Sequence, residues 1–325
     1  MYQPANGQNN FLKYYFSDSG FSQDIEDFVC IYAKNRLISY HYKSAIKKYI
    51  ELYSKYDQNT LDLADYSLLI DSGAYSIWNS GQPPINPAKY AYFCQDFLNS
   101  ISHLNFKKIE FINLDVIPGI KNQPLTLDQI KYAQEKSWEN YLFLNDRIPN
   151  LLPVFHQGDD FEYISKIENK TLRYCISPAN DKSVSQRLLW IQDVYRYANI
   201  DFKPHGLGFS NASIAKANPW YSFDASTHAL RAGFGVIMYS NGNDLIDIVF
   251  SEVRTKEDTG THFGNLSKPE QQRILDEFLE IDPIFTYKNV LSSGKYRKML
   301  NMYFVSKFYE TLPEPKNVIQ GNLFM

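Results

Sequence analysis

The stretch Ser67-Leu68-Leu69-Ile70-Asp71-Ser72-Gly73-Ala74-Tyr75-Ser76 decides how the rest of the chain is read. A continuous apolar run stops at an aspartate, a glycine turn follows, and an aromatic residue opens the next segment. Apolar runs without alternation are how strands buried on both faces appear, and such strands belong to parallel sheets covered by helices. The same grammar recurs at FLKYYFS (11–17), FVCIYA (28–33), IEFINLD (109–115), LLPVFH (151–156), LRYCIS (172–177), HGLGF (205–209), WYSFDA (220–225) and FGVIMYS (234–240).

Helical patterns lie between the runs. Asn86 and Pro87 read as an N-cap and first helical position, with Tyr90, Phe93, Phe97 and Ile101 on one face. Thr126 caps a segment carrying Ile130, Ala133 and Tyr141. Val184, Leu188, Ile191 and Tyr195 form another stripe. Ser267, Pro269 and Glu270 open a helix with Ile274, Phe278 and Leu279 turned inward. About eight strand–helix alternations over roughly 250 residues predict an α/β fold, a (β/α)8 TIM barrel. A doubly wound sheet is the alternative, but it calls for a Gly-rich phosphate loop, and neither G-x-G-x-x-G nor a Walker sequence occurs. Residues 1–244 are expected to form the barrel, and residues 245–325 a mostly helical extension packed on it.

The chain has 325 residues, 44% of them hydrophobic, enough for a full core, and a net charge of −3 that excludes a global basic field for nucleic acid. Contact with phosphate must then come from local patches: Lys43, Lys47 and Lys48, or the cluster of Lys288, Lys295, Arg297, Lys298 and Lys307. Three separated cysteines give no disulfide framework. With no basic leader followed by an apolar run, and no stretch of about 20 apolar residues, a soluble cytoplasmic protein that does not contact membrane is expected.

In a barrel the chemistry sits at the carboxyl ends of the strands. Those ends carry Asp71-Ser72-Gly73-Ala74-Tyr75, Asp115, His156-Gln157-Gly158, Ser177-Pro178-Ala179-Asn180, Gly206 and Gly208, and Asp224. Each alone has a plain explanation as a helix cap or a tight turn. Together they suit a purine-like base. Carboxylates accept from ring N–H and amino groups, an amide donates to a carbonyl, and glycines let the backbone approach a flat ring. A carboxylate spared from recognition can attack a sugar carbon, with a second carboxylate of different pKa handling the proton.

These motifs, in this order, resemble the tRNA-guanine transglycosylase (queuine tRNA-ribosyltransferase) superfamily. LLIDSGAYS resembles its D-S-G-G-[FY]-Q segment, INLDVIPG its second aspartate segment, PVFHQG its V-Q-G-G motif, HGLGF its G-V-G motif, and SFDASTHALRAGFGVIMY its nucleophile segment. The likeness spans roughly residues 65–240. It implies that Asp224 is the nucleophile and that Asp71 is the acid/base and a base-recognition residue. It also implies that Ser72, Gly73, Tyr75, Asp115, His156, Gln157 and Gly158 line the base site, and that Gly206 and Gly208 shape its floor. Ala74 and Ser76 depart from the family pattern. The family's cysteine–histidine zinc site is absent, so the chain is most similar to the zinc-free DpdA-type DNA 7-deazaguanine transglycosylases of phage and genomic islands. The resemblance therefore implies guanine exchange in DNA for a 7-deazaguanine base, without metal or other cofactor, in the host cytoplasm if the gene is a phage's. A helicase/ATPase or a second copy of the chain is an implied partner. Exchange in tRNA and a non-catalytic base-binding barrel subunit are the alternatives. A metal-dependent hydrolase is the third, disfavoured because His41, His103, His156, His205, His228 and His262 form no H-x-H or H-E-x-x-H.

Overall fold

The computed structural model describes residues 12–17, 22–57, 62–120, 123–179, 181–209, 214, 220–253 and 261–312. Strands β1 (Lys13–Ser17), β2 (Asn35–Ser39), β3 (Ser67–Asp71), β4 (Lys108–Ile112), β5 (Leu151–Leu152), β6 (Val154–His156), β7 (Arg173–Ser177), β8 (Lys203–Gly206) and β9 (Ser222–Ala225) form one parallel sheet. Its order is β5-β4-β3-β2-β1-β9-β8-β7-β6. Only Pro153 separates β5 from β6. β5 pairs with β4, β6 pairs with β7, and the Pro153 carbonyl accepts from Cys175 N at 2.8 Å. The two pieces are halves of one strand, so eight strands close into a ring with helices outside: a (β/α)8 barrel. Proline has no N–H to give a ladder, and here it stands where the strand changes partners.

Successive side chains on a strand alternate between faces. Tyr15, Leu37, Leu69, Ile112, Leu152, Val154 and Cys175 meet as one buried cluster inside the ring. Two positions further along their strands stand Ser39, Asp71, His156 and Ser177, and this upper layer forms the mouth. The outward residues pack under helices. Ile38, Leu68, Ile70 and Phe111 meet Ile46, Tyr49, Tyr90 and Phe97 on one side, and Phe155, Tyr174, Ile176 and Phe223 meet Ile164, Ile191 and Val194 on the other.

The helix starts are as the sequence predicts. Asn86 Oδ1 accepts from Ala88 N and Lys89 N ahead of the helix Pro87–Ser100. Capping boxes at Thr126/Gln129, Ser183/Gln186 and Ser267/Glu270 open the helices Leu127–Asn145, Val184–Tyr197 and Lys268–Ile281. Leu279, expected inward, is 44% exposed.

Two expected strands are corrected. FVCIYA belongs to the helix Gln23–Tyr32, which buries Ile25, Val29 and Cys30. A short β-branched and aromatic run cannot be told from the buried face of a helix by composition. The barrel strand is the next segment, NRLIS, masked by Arg36. That guanidinium lies outside the ring and is 1% exposed, at 2.9 Å from Glu26 and 2.8 Å from the Tyr49 hydroxyl. FGVIMYS is also outside the ring: β10 (Val236–Ser240) forms an antiparallel hairpin with β11 (Leu245–Val249). HGLGF is a strand only as far as Gly206. Phe11, Asn180 and residues 313–325 lie outside the described residues.

The helices Tyr287–Ser292 and Gly294–Thr311 complete the C-terminal part. Asn301 accepts from Met238 N and donates to the carbonyls of His228 and Val236, joining the long helix to the hairpin. Tyr309 stacks on Tyr14 of β1, and Leu12 N donates to Leu312 O at 3.3 Å. No helix among the described residues is long and apolar enough to cross a membrane.

Glu26 and Arg36 are both buried, so neither charge tolerates losing its partner. Glu26→Leu is expected to cost about 3–5 kcal/mol of unfolding free energy, and Glu26→Leu with Arg36→Met to recover most of it. Urea denaturation of the two variants measures this; equal losses would mean the pairing itself contributes nothing.

Candidate active site

Ser39 and Asp71 are register partners at the ends of β2 and β3. Ser39 Oγ accepts from His41 N and hydrogen-bonds the Asp71 carboxyl, while Asp71 Oδ2 accepts from Gly73 N at 3.0 Å. Gly73 has φ 76°, and a Cβ there would lie 2.9 Å from the His41 Cβ. Only glycine fits a turn that folds its N–H back onto Asp71. Ser72 is fully buried, and its Oγ accepts from Ala74 N at 3.4 Å. Tyr75 is half exposed on the rim beside Trp78, whose indole N–H donates to the Gly119 carbonyl at 2.9 Å and ties the loops after β3 and β4 together.

Asp115 lies three residues beyond β4, on a loop pinned by the helix Leu127–Asn145. Ser137 Oγ accepts from Val116 N, and Asn140 Nδ2 donates to Leu114 O. His156, at the end of β6, places Nε2 2.8 Å from Asp115 Oδ2. Its Nδ1 is 3.7 Å from Asp159 Oδ2, an oxygen that also accepts from His156 N. Burial pushes the imidazole towards neutrality, but Asp115 and Asp159 outweigh it and raise the ring to about 10. His156 is therefore an imidazolium at neutral pH. Gln157 Oε1 accepts from Ala179 N, leaving its amide nitrogen as the donating end. Gly158 has φ 118°.

Asp224, on β9, is 7% exposed. Its Oδ1 accepts from Gly208 N at 3.2 Å and lies 3.3 Å from His205 Nε2. Gly208, at φ 68°, thus takes part in holding Asp224. Gly206 has a different role from the expected pocket floor: a Cβ would meet Phe209 at 2.5 Å and Trp220 at 2.9 Å, so its lack of a side chain serves packing behind the strand.

The three aspartates share one mouth. Burial is the largest cause raising Asp71; repulsion from Asp115 and then Asp224 adds to it, and hydrogen bonds from Ser39 and Gly73 N offset only part, leaving the carboxyl at about 7. The group can both give and take a proton near neutrality. Among the described residues, no group of three or more His, Cys, Asp or Glu side chains is placed to hold a metal ion.

The C-terminal basic patch is corrected. Arg297 is buried, and its guanidinium donates to the carbonyls of Ala232, Val290 and Leu291, which removes it from any phosphate. Lys295 and Lys298 are half-buried on the same helix. Three contributors escaped the sequence reading. Ser39 was hidden by the misassigned second strand. Asp159 sits in the HQGD segment, where the third residue after His156 is the signal. Ser222 is two positions before Asp224, hence on the same face.

No protein-family model matches the chain, and no curated protein is significantly similar to it.

Asp71 holds its proton more tightly folded, at about 7, than at its ordinary 3.8. The stability this contributes is full below about pH 4 and is lost as pH rises to about 7. Asp71→Asn cannot ionise and escapes that loss. From pH 4 to pH 8 the wild type is expected to lose roughly 2–4 kcal/mol relative to the variant. Denaturation curves that stay parallel across this range would refute the shift.

Proposed function

We propose that the chain is a base-exchanging transglycosylase that replaces guanine in a polynucleotide by a 7-deazaguanine, through a covalent Asp224–sugar intermediate. The observation that carries this reading is the sorting of carboxylates at one barrel mouth. Asp224 accepts a backbone N–H and lies beside an imidazole, which position its carboxyl group at the mouth as a nucleophile. Asp71 is held near neutrality, as a proton handler requires. Asp115 is fixed by its contact with His156, and its other oxygen is the acceptor for ring N–H and amino groups.

In this reading the target nucleotide leaves its stack to enter the mouth. An Asp224 oxygen attacks C1′, the C1′–N9 bond breaks, and its electron pair goes to the base, which takes the Asp71 proton. The incoming base returns a proton to Asp71, its nitrogen attacks C1′, and Asp224 leaves. Two inversions retain configuration. Gln157 donates to the base carbonyl, and Tyr75 offers a stacking face at the rim. The helix Lys43–Asp57 starts just beyond β2 at this mouth and exposes Lys43, Lys47 and Lys48 in its first turns, a match for a phosphate backbone. DNA is the preferred polynucleotide on the strength of the sequence resemblance.

Incubation with guanine-containing DNA or tRNA and a labelled 7-deazaguanine is expected to give incorporation and a denaturation-stable adduct with wild type. Asp224→Asn should lower exchange by roughly a thousandfold or more. Incorporation into tRNA alone would reassign the substrate, and no adduct with either would defeat the enzyme reading. Single-turnover adduct formation should slow as pH rises through about 7, because Asp71 loses the proton that the leaving base needs. A rate flat from pH 6 to 9 would remove Asp71 from that role.

A further inference from the structure

A buried polar chain runs through the barrel interior beneath Asp224. Glu110 of β4 accepts from Arg173 of β7 at 3.0 Å (Nε) and 2.9 Å (Nη2), and from Lys108 at 2.8 Å. The Arg173 Nη2 also donates to Ser222 Oγ at 2.8 Å. Ser222 Oγ lies 2.9 Å from His205 Nδ1, and His205 Nε2 lies 3.3 Å from Asp224 Oδ1. Glu110, His205 and Ser222 are at most 1% exposed. Placing a charged pair and an imidazole in a barrel core is costly, and apolar side chains would fill the same space at lower cost. The arrangement therefore calls for a reason beyond packing.

We propose that His205 is a positioning residue: a neutral imidazole, fixed as its Nε2–H tautomer by Ser222, Arg173 and Glu110, that holds one oxygen of Asp224 and presents the other to the substrate. The claim rests on reading Asp224 as the nucleophile. Ser222 Oγ accepts from Arg173, and its own proton is then available to His205 Nδ1. The ring proton must sit on Nε2, because the other tautomer would set an imidazole lone pair against a carboxylate oxygen at 3.3 Å. Burial, the largest influence on the ring, lowers its proton affinity and outweighs the pull of Asp224; Arg173 lowers it further and Glu110 opposes that, and the net direction is downward. The Tyr15 ring packs edge-on against the imidazole, with ring centroids 5.7 Å apart. The Nε2 contact is not a well-aligned hydrogen bond. Catalytic hydrogen bonds commonly tighten only around the substrate. Both Gly208 N and His205 Nε2 address Oδ1, so Oδ2 is the attacking oxygen.

The test has two independent readouts on the full chain. Imidazole nitrogen NMR of histidine-labelled protein, with His205 assigned by its loss in His205→Gln, should show a neutral Nε2–H ring at pH 7. In Ser222→Ala that tautomer preference should weaken. An imidazolium, or an Nδ1–H ring, would overturn the proposal. In single-turnover adduct formation His205→Leu should slow the step about 10–100-fold with the polynucleotide concentration for half-maximal rate unchanged, since supporting hydrogen bonds typically contribute that much. His205→Gln, whose amide N–H can reach the place of Nε2–H, should restore most of the rate. Equal rates in wild type and His205→Leu, or equal losses in Leu and Gln variants that melt like wild type, would also overturn it. If the wild type forms no adduct at all while NMR shows the Nε2–H ring, the transglycosylase reading fails and the fixed tautomer stands.

Discussion

Closure of the ring at Leu151–His156 is the constraint on which everything else depends. One strand must satisfy β4 with its first half and β7 with its second, and it changes partners at the one residue that has no N–H to place. Once the ring is closed none of its own strands keeps an open edge, every inward side chain is fixed in layers, and the upper layer becomes a mouth. Asp71, His156 and Asp224 are brought together by strand registers. Leu37 opposite Leu69 puts Ser39 opposite Asp71, and Tyr15 opposite Asp224 sets the height of the carboxylate on β9.

Gathering Asp71, Asp115, Asp159 and Asp224 around one opening creates mutual repulsion, and the structure resolves it differently for each. Asp115 and Asp159 share the His156 imidazolium. Asp224 receives a backbone N–H. Asp71 has Ser39 and its own turn, and burial with the repulsion of Asp115 and Asp224 lets it keep a proton near neutrality. Similar groups thus acquire different chemistry through what their neighbours donate.

Much of the barrel was legible because its strands end in polar residues and its helices begin with caps. Asn86-Pro87, Thr126 with Gln129 and Ser183 with Gln186 mark their helices by local hydrogen bonds that need no tertiary context. β2 was not legible. Its Arg36 looks like a surface residue until Glu26 and Tyr49, brought by two different helices, bury it. The mouth was legible in its aspartates, since a carboxylate ending an apolar run is visible in one dimension. His205 and Ser222 acquire meaning only across strands, where register sets them side by side. Arg297 shows the opposite failure: a basic run on a helix implies solvent, while the fold turns its one guanidinium onto three carbonyls.

The pairing of β1 with β9 carries a consequence for biosynthesis. The hydroxyl of Tyr14 reaches the Ala225 carbonyl 211 positions along the chain. At synthesis rates of roughly 5–20 residues per second, Tyr14-Tyr15-Phe16 would wait on the order of 10–40 s for the strand that covers its second edge. The ring cannot close vectorially as it emerges. Until the ninth strand arrives, the first is an aromatic edge open to pairing with any other chain.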